Sequence, residues 1–496
     1  MGRGVNGDAS GAAPGLVIDG EVVAGEAGTY EVTNPVRPSE VVLHAPSASS
    51  EQLGRAVAAA RRAQIGWGAM APEDRADLVC KAAAVAGAAV TDEDLGTLLT
   101  KEHGKVLWEA QFDSSAIAGM ATAYAPLAVE ALSGRVLEAG QGRKTRVRHE
   151  PFGVVAAILP FNWPVSVMAN KVLPALLTGN TVVVKAPPTC PGAVLASIAA
   201  LASALPPGVV NSLNGPGPDM GRALVGHPGV DMISFTGGVL AGRSVMSTAS
   251  DSVKPVVLEL GGNDPAVIGP DVEIDEDLAS KLVEAAFITS GQVCMAVKRV
   301  YAPSSRVPAL VEALVDRVKS EVVGDGLAEG VTMGPVHRAE ARDRVEEMLD
   351  EARSAGFRVH RPATVRPEDV GRDGYLVSPA IVEEPARDAR IVREEQFAPA
   401  LPVLGYADLE DALAQANDTS FGLCASVWTG DDALAADFSR RLQAGTVFVN
   451  CHGTSAMDYR APMGGWKESG YGLELGPEGI LALTHTKTVL EHSAGS

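Results

Sequence analysis

A chain of 496 residues exceeds what one hydrophobic core usually serves and suggests two to four domains. Apolar residues make up 46%, enough for those cores, while a formal net charge of −20 opposes nucleic acid and anionic membrane as partners and leaves the substrate open. The cysteines Cys80, Cys190, Cys294, Cys424 and Cys451 are odd in number and form no Cys-x-x-Cys pair, so neither a disulfide framework nor a zinc site is suggested and a reducing, cytoplasmic setting fits.

Residues 1–14 are rich in Gly and Ala, lack the apolar stretch of a secretory signal, and are expected to be disordered. Residues 53–67 and 71–89 read as helices, the first with Ala and Arg at helical spacing. From residue 154 short apolar strands alternate with helices. The strands are 154–159, 181–185, 209–213 and 232–235; the helices are 165–177, 193–204 and 219–225. The longest uncharged stretch, 186–218, is broken by Pro187, Pro188, Pro191, Pro206, Pro207 and Pro216, so it holds no membrane-length span. This alternation implies crossover units and a parallel sheet, a nucleotide-binding architecture. A second α/β unit follows Gly262, with helices at 274–290, 308–322, 338–355 and 409–417. Its strands lie near 299–302, 402–406, 425–428 and 446–450. Segments 143–150 and 484–491 read as exposed strands whose edges invite pairing with another chain. No internal repeat is present.

Three segments carry chemistry. Asn162 lies in Pro160-Phe161-Asn162-Trp163-Pro164, Glu259 in Glu259-Leu260-Gly261-Gly262, and Cys294 in Gly291-Gln292-Val293-Cys294. Together they offer an amide donor, a carboxylate base and a thiol nucleophile, the parts needed for acyl chemistry through a thioester. Each has a plain structural alternative: a loop asparagine, a capping carboxylate and an inert buried cysteine. Spacing alone leaves those alternatives open. Phe235-Thr236-Gly237-Gly238, leading to Gly242, can open a helix onto a pyrophosphate or can simply start a helix. It is neither the Gly-x-Gly-x-x-Gly fingerprint nor a Walker loop.

These segments resemble the hydrolytic, NAD(P)-dependent branch of the aldehyde dehydrogenase superfamily, and the resemblance runs from about residue 16 to about residue 491. It implies an α/β fold with a Rossmann-like parallel-sheet coenzyme domain in 1–127 and 151–262. An α/β catalytic domain would occupy 263–465, and a small β oligomerisation domain 128–150 with 466–496. In this resemblance Cys294 is the nucleophile and Glu259 activates water. Asn162 and the Cys294 backbone N–H hold the oxyanion, at about 3 kcal/mol per donor. Glu474, in Gly472-Leu473-Glu474-Leu475-Gly476, matches a second glutamate near the site, although many relatives carry Arg where this chain has Leu473. Lys171 matches a family lysine, with a helix-surface lysine as the alternative.

The coenzyme, NAD or NADP, would meet Ile158, Leu159, Phe161, Lys185, Pro188, Gly217, Gly221, Phe235, Gly237, Gly238, Leu260, Glu395 and Phe397. Two small departures stand out: relatives usually carry Ser at Gly238 and Gly at Ala398. NAD-preferring relatives often place Glu at the position of Pro188, where it repels a 2′-phosphate. Its absence here predicts tolerance of NADP, while no arginine nearby in sequence makes a phosphate site. The substrate tunnel would include Trp163, Ser166, Asn170, Ile288, Val293, Met295 and Met463, with the loop 451–463 closing its mouth and Arg460 as the nearby cation. The expectation is a soluble homo-oligomer, dimer or tetramer, that oxidises an uncharged aliphatic or aromatic aldehyde. A CoA-acylating semialdehyde dehydrogenase is the rival that Glu259 opposes. A non-catalytic structural protein is the rival that the presence of both Cys294 and Glu259 opposes.

Overall fold

Val and Ala runs buried on both faces build the first of two large sheets. In a computed structural model describing residues 15–92, 94–138, 143–371 and 373–492, its order is Gly470–Tyr471, Val256–Glu259, Met232–Thr236, Val154–Ile158, Thr181–Lys185 and Val210–Leu213. All its pairings are parallel except that of Gly470–Tyr471 at one edge. Helices Pro164–Leu177, Gly192–Ser203 and Val239–Ser250 provide the crossovers, and covering both faces is why the strands read as continuous apolar runs rather than alternating ones. The chain works outward from Val154–Ile158 in one direction and then returns to its other side with Met232–Thr236. The strand order therefore reverses between those two strands, and ligands of such sheets bind beyond the carboxyl ends at that place.

The second sheet runs Arg358–His360, Ala380–Glu383, Ala400–Tyr406, Val297–Pro303, Asp264–Ile268, Cys424–Trp428 and Thr446–Val449, parallel except at the Arg358–His360 edge. The expected helix 274–290 ends early, at Phe287, because Thr289 and Ser290 turn to φ values of 52° and 56°. The expected helix 308–322 stops at Val318, since Val322–Val323 is drawn off to pair with Thr364–Val365.

Sequence patterning missed several elements. The strands Leu16–Ile18, Glu21–Val23, Thr29–Asn34 and Arg37–Pro46 form short hairpins. Helix Leu107–Leu132 has no apolar face to detect, being apolar nearly all round; by length and composition alone it could cross a membrane. In this fold it packs against helices Pro72–Asp92 and Pro164–Leu177. Arg143–Pro151 and Thr484–His492, read from sequence as exposed strands and placed by the resemblance in one small β domain, lie side by side. They pair with each other, antiparallel, from Thr484↔Pro151 to His492↔Arg143, and Arg135–Glu138 adds a third strand. Only the outer edges of this small sheet stay open. The disorder expected for residues 1–14 lies outside the described residues.

A buried carboxylate fixes how the first sheet meets the N-terminal helices. Helix Gly192–Ser203 has no side-chain cap of its own; Glu102, fully buried in helix Leu95–His103, accepts the N–H groups of Gly192 and Ala193 at 2.8 and 2.9 Å. Glu102→Ala leaves two buried donors unpaired and should destabilise the fold by about 2–4 kcal/mol. An unchanged denaturant midpoint would show that this cap contributes nothing.

Candidate active site

Cys294 follows a turn in which three successive residues, Thr289, Ser290 and Gly291, take positive φ. Two of them are not glycine, so the backbone is strained there. Buried hydrogen bonds hold it. The Thr289 N–H donates to Glu109 at 2.7 Å, the Ser290 hydroxyl to the Gly334 carbonyl at 2.8 Å, and the Lys298 ammonium to the Gly291 carbonyl. Gln292 accepts the His337 N–H on its side-chain oxygen at 2.8 Å. The thiol that this turn presents is half-buried. Burial first, then the neighbouring Glu259 carboxylate, push its pKa well above the ordinary value, so the resting form is the neutral thiol.

Asn162 stands beyond the carboxyl end of strand Val154–Ile158. Its Nδ2 gives one hydrogen to the Gln292 carbonyl at 2.9 Å, which ties it to the cysteine loop and leaves a second N–H. Glu259 ends strand Val256–Glu259 and is only 8% exposed. Its Oε1 has no hydrogen-bond partner among the described residues. Burial, reinforced by the Glu474 charge, raises its pKa to about 8. The glycines that follow are needed for close approach. A Cβ on Gly261 would come within 2.3 Å of Glu395, and one on Gly262 within 2.4 Å of the Cys294 carbonyl.

Lys171 is not a surface lysine. It is fully buried in helix Pro164–Leu177, and its Nζ donates to Glu474 at 2.5 Å and to the Ser234 hydroxyl at 3.1 Å. Glu474 is thereby held beside Glu259, where the two carboxylates repel.

Two cavities meet at Asn162, Thr236, Glu259 and Cys294. The first is a groove at the strand-order reversal of the first sheet. It is lined by Leu159, Phe161, Pro188, Phe235, Gly237, Gly238, Leu260, Glu395 and Phe397 of the expected coenzyme residues. Its walls suit a dinucleotide. Apolar faces lie along it, the space above Gly238 is open at the start of helix Val239–Ser250, and the Thr236 hydroxyl has no partner among the described residues. Glu395 accepts the Gly262 N–H at 2.9 Å, and burial lifts its pKa to about 7. Four expected coenzyme residues do not line this groove. Ile158 still belongs to the strand, and the wall begins at Leu159. Lys185 is buried, its ammonium drawn to the Gly215 carbonyl at 3.4 Å and its pKa lowered by burial to about 8. Gly221 lies inside helix Asp219–Gly226. Gly217 lines an outer cavity that shares Pro188 with the groove.

The second cavity is lined by Trp163, Ser166, Asn170, Val293, Met295 and Met463, as expected, and also by Phe112, Val167, Thr454, Met457, Tyr459 and Leu475. Phe112 meets Trp163 edge-on at 6.0 Å; nothing in the sequence pattern of its long apolar helix marked it. Ile288 is a correction: it lines an adjoining cavity with Cys451 and His452, on the far side of Val293 and Met295, because the helix ends just before it. Arg460 is a solvent-exposed loop arginine bound to Asp458 at 2.6 Å. Two buried lysines touch the cavity walls: Lys171 is bonded to Glu474, and Lys105 is buried against Asp113 at 3.0 Å with its Nζ 4.1 Å from the Trp163 ring centre.

Comparison with known proteins agrees with this geometry. The pattern of the Aldehyde dehydrogenase family matches residues 22–489. An aldehyde dehydrogenase of Davidiella tassiana is 34% identical over 479 residues, covering 96% of this chain and 94% of that one. Betaine aldehyde dehydrogenase from Staphylococcus aureus in complex with NAD+ superposes with a TM-score of 0.90 at 31% identity, covering 98% of this chain and 95% of that one. An NADP-dependent enzyme of E. coli gives a TM-score of 0.90 at 30% identity, over 97% and 98% of the two chains.

Proposed function

Because the chain belongs to the aldehyde dehydrogenase family of NAD(P)-dependent enzymes, we propose that it oxidises an aldehyde to the carboxylic acid through a thioester on Cys294. The observation that carries this reading is the position of Cys294, Glu259 and Asn162 where the two cavities join. A carbonyl carbon entering from the apolar cavity reaches the thiol there. Sulfur adds to that carbon as the thiol gives up its proton to solvent water. The oxygen of the resulting thiohemiacetal is held by the free Asn162 N–H and the Cys294 backbone N–H. The groove lined by Phe161, Glu395 and Phe397 opens onto this carbon, and a nicotinamide coenzyme held there would supply the hydride acceptor needed to reach the thioester. Glu259 then takes a proton from water, the C–S bond breaks, and the acid departs. Glu474, fixed by Lys171, keeps the proton affinity of Glu259 high through like-charge repulsion.

A base must be ionised to act, and the ionised fraction of Glu259 rises as pH passes its raised pKa of about 8. Deacylation should therefore accelerate from about pH 7 to about pH 9. Glu259→Gln should give a burst of reduced coenzyme near one per active site and then stall, while Cys294→Ala gives no burst. Steady-state turnover of Glu259→Gln at the wild-type rate would remove Glu259 from this role.

The substrate end of the site is walled by Phe112, Trp163, Val167, Val293, Met295, Met457 and Met463. Such walls reward apolar contact and penalise an unpaired charge. Uncharged aliphatic and aromatic aldehydes should therefore exceed carboxylate-bearing semialdehydes of equal length in kcat/KM. The opposite order would rule out this substrate class.

We also propose a homo-oligomer, dimer or tetramer. The open outer edge of strand Thr484–His492 and the exposed Val136, Leu137 and Leu490 of the same small sheet support it. Light scattering should give a multiple of 51.1 kDa, reduced by Leu490→Glu. A monomer for the unaltered protein would overturn the assembly.

A further inference from the structure

The coenzyme groove does not end at Pro188. Pro188, Thr189 and Arg338 line both the groove and an outer cavity bounded by Tyr30, Gly217, Tyr375 and others. These residues form a waist between the two. Nicotinamide chemistry must occur at the Cys294 end, so a dinucleotide lying in the groove brings its adenosine half to this waist.

The polar groups at the waist are mostly engaged already. Pro188 has no N–H, and its carbonyl accepts the Tyr30 hydroxyl at 2.7 Å. The Thr189 hydroxyl is paired with the His337 ring at 2.6 Å. Arg338 differs. Its guanidinium lies 6.0 Å from the Phe161 ring centre, but among the described residues it donates no hydrogen bond and forms no ion pair. Its backbone is nevertheless fixed, because His337 is buried, stacks on Phe161 at 4.6 Å, and is bonded to the His103 carbonyl, Thr189 and Gln292. A charged fork with spare donors, mounted on a rigid base and facing a carboxylate-free position 188, suits a phosphate monoester. The acidic groups lining the outer cavity are Glu31 and Glu340, both exposed, and their repulsion offsets part of that attraction.

We propose that Arg338 receives the 2′-phosphate of NADP and sets the preference between the two coenzymes. The proposal rests on the reading of the groove as the coenzyme site and deepens it. It replaces the expectation from sequence that no cation serves this position: Arg338 is distant from Pro188 in the chain and lines the same two cavities in the fold.

The test measures dissociation constants of NADP and NAD by titration calorimetry on the intact protein, with 2′,5′-ADP and 5′-AMP as competing fragments. Arg338→Ala should raise the ratio Kd(NADP)/Kd(NAD) by about five- to tenfold. Arg338→Lys, which keeps the charge, should restore most of the difference. The wild-type preference for 2′,5′-ADP over 5′-AMP should shrink with added salt, and Arg338→Ala should show little such dependence. A ratio that does not move, or an equal loss for both coenzymes, would overturn the assignment, the latter because it places Arg338 on a group common to both. Pro188→Glu distinguishes the two levels of the argument. If that variant shifts the ratio and Arg338→Ala does not, the groove stands and Arg338 is wrong; if neither variant shifts it, the groove reading itself fails.

Discussion

The strained turn Thr289–Gly291 is the constraint on which the site depends. Two non-glycine residues in the left-handed region cost on the order of 1–3 kcal/mol each, so the turn persists only because its surroundings over-determine it. The supports come from far apart in the chain. Glu109 reaches it from the long apolar helix, Gly334 and His337 from the segment before helix Ala339–Ser354, and Asn162 from the first sheet. The thiol therefore stands at its place only when both α/β units are assembled around it. Helix Leu107–Leu132, whose apolar surface could suit a membrane, instead serves the site by carrying Glu109 into the core.

Buried charge around the thiol is distributed with a consistent sign. Glu259 lacks a direct cationic partner and is kept proton-avid by burial and by Glu474. Glu474 and Asp113, by contrast, each have a lysine within 3.0 Å. Glu109 and Glu395, like Glu259, have no ion pair among the described residues, and burial raises both to about 7. Removing water from such groups is costly, and it leaves each unpaired carboxylate with a proton affinity near neutrality.

The double glycine after Glu259 joins this chemistry to the coenzyme groove. With no side chains at 261 and 262, the backbone passes between the Glu395 carboxylate and the Cys294 carbonyl. Glu259, Cys294 and a groove-lining carboxylate are thus packed around a single dipeptide. The groove itself lies where topology directs it, beyond the carboxyl ends of the strands between which the order of the first sheet reverses.

The sequence by itself determined the α/β class, most of the crossover strands and helices of the first sheet, and the three segments bearing Asn162, Glu259 and Cys294, because strand period, helix period and glycine placement are local signals. The family resemblance carried by those segments also pointed to most of the groove and cavity walls. The sequence could not reveal the helix Leu107–Leu132, whose uniform apolarity carries no period, nor that Arg143–Pro151 and Thr484–His492 pair with each other across more than 300 residues. Burial of Lys171 against Glu474, the turning of Ile288 into a neighbouring cavity, and the convergence of Arg338 and Pro188 on the same cavities were likewise decided only by tertiary structure. Each is a contact between distant segments, and a charge or an apolar side chain has no defined partner until the chain has closed around it.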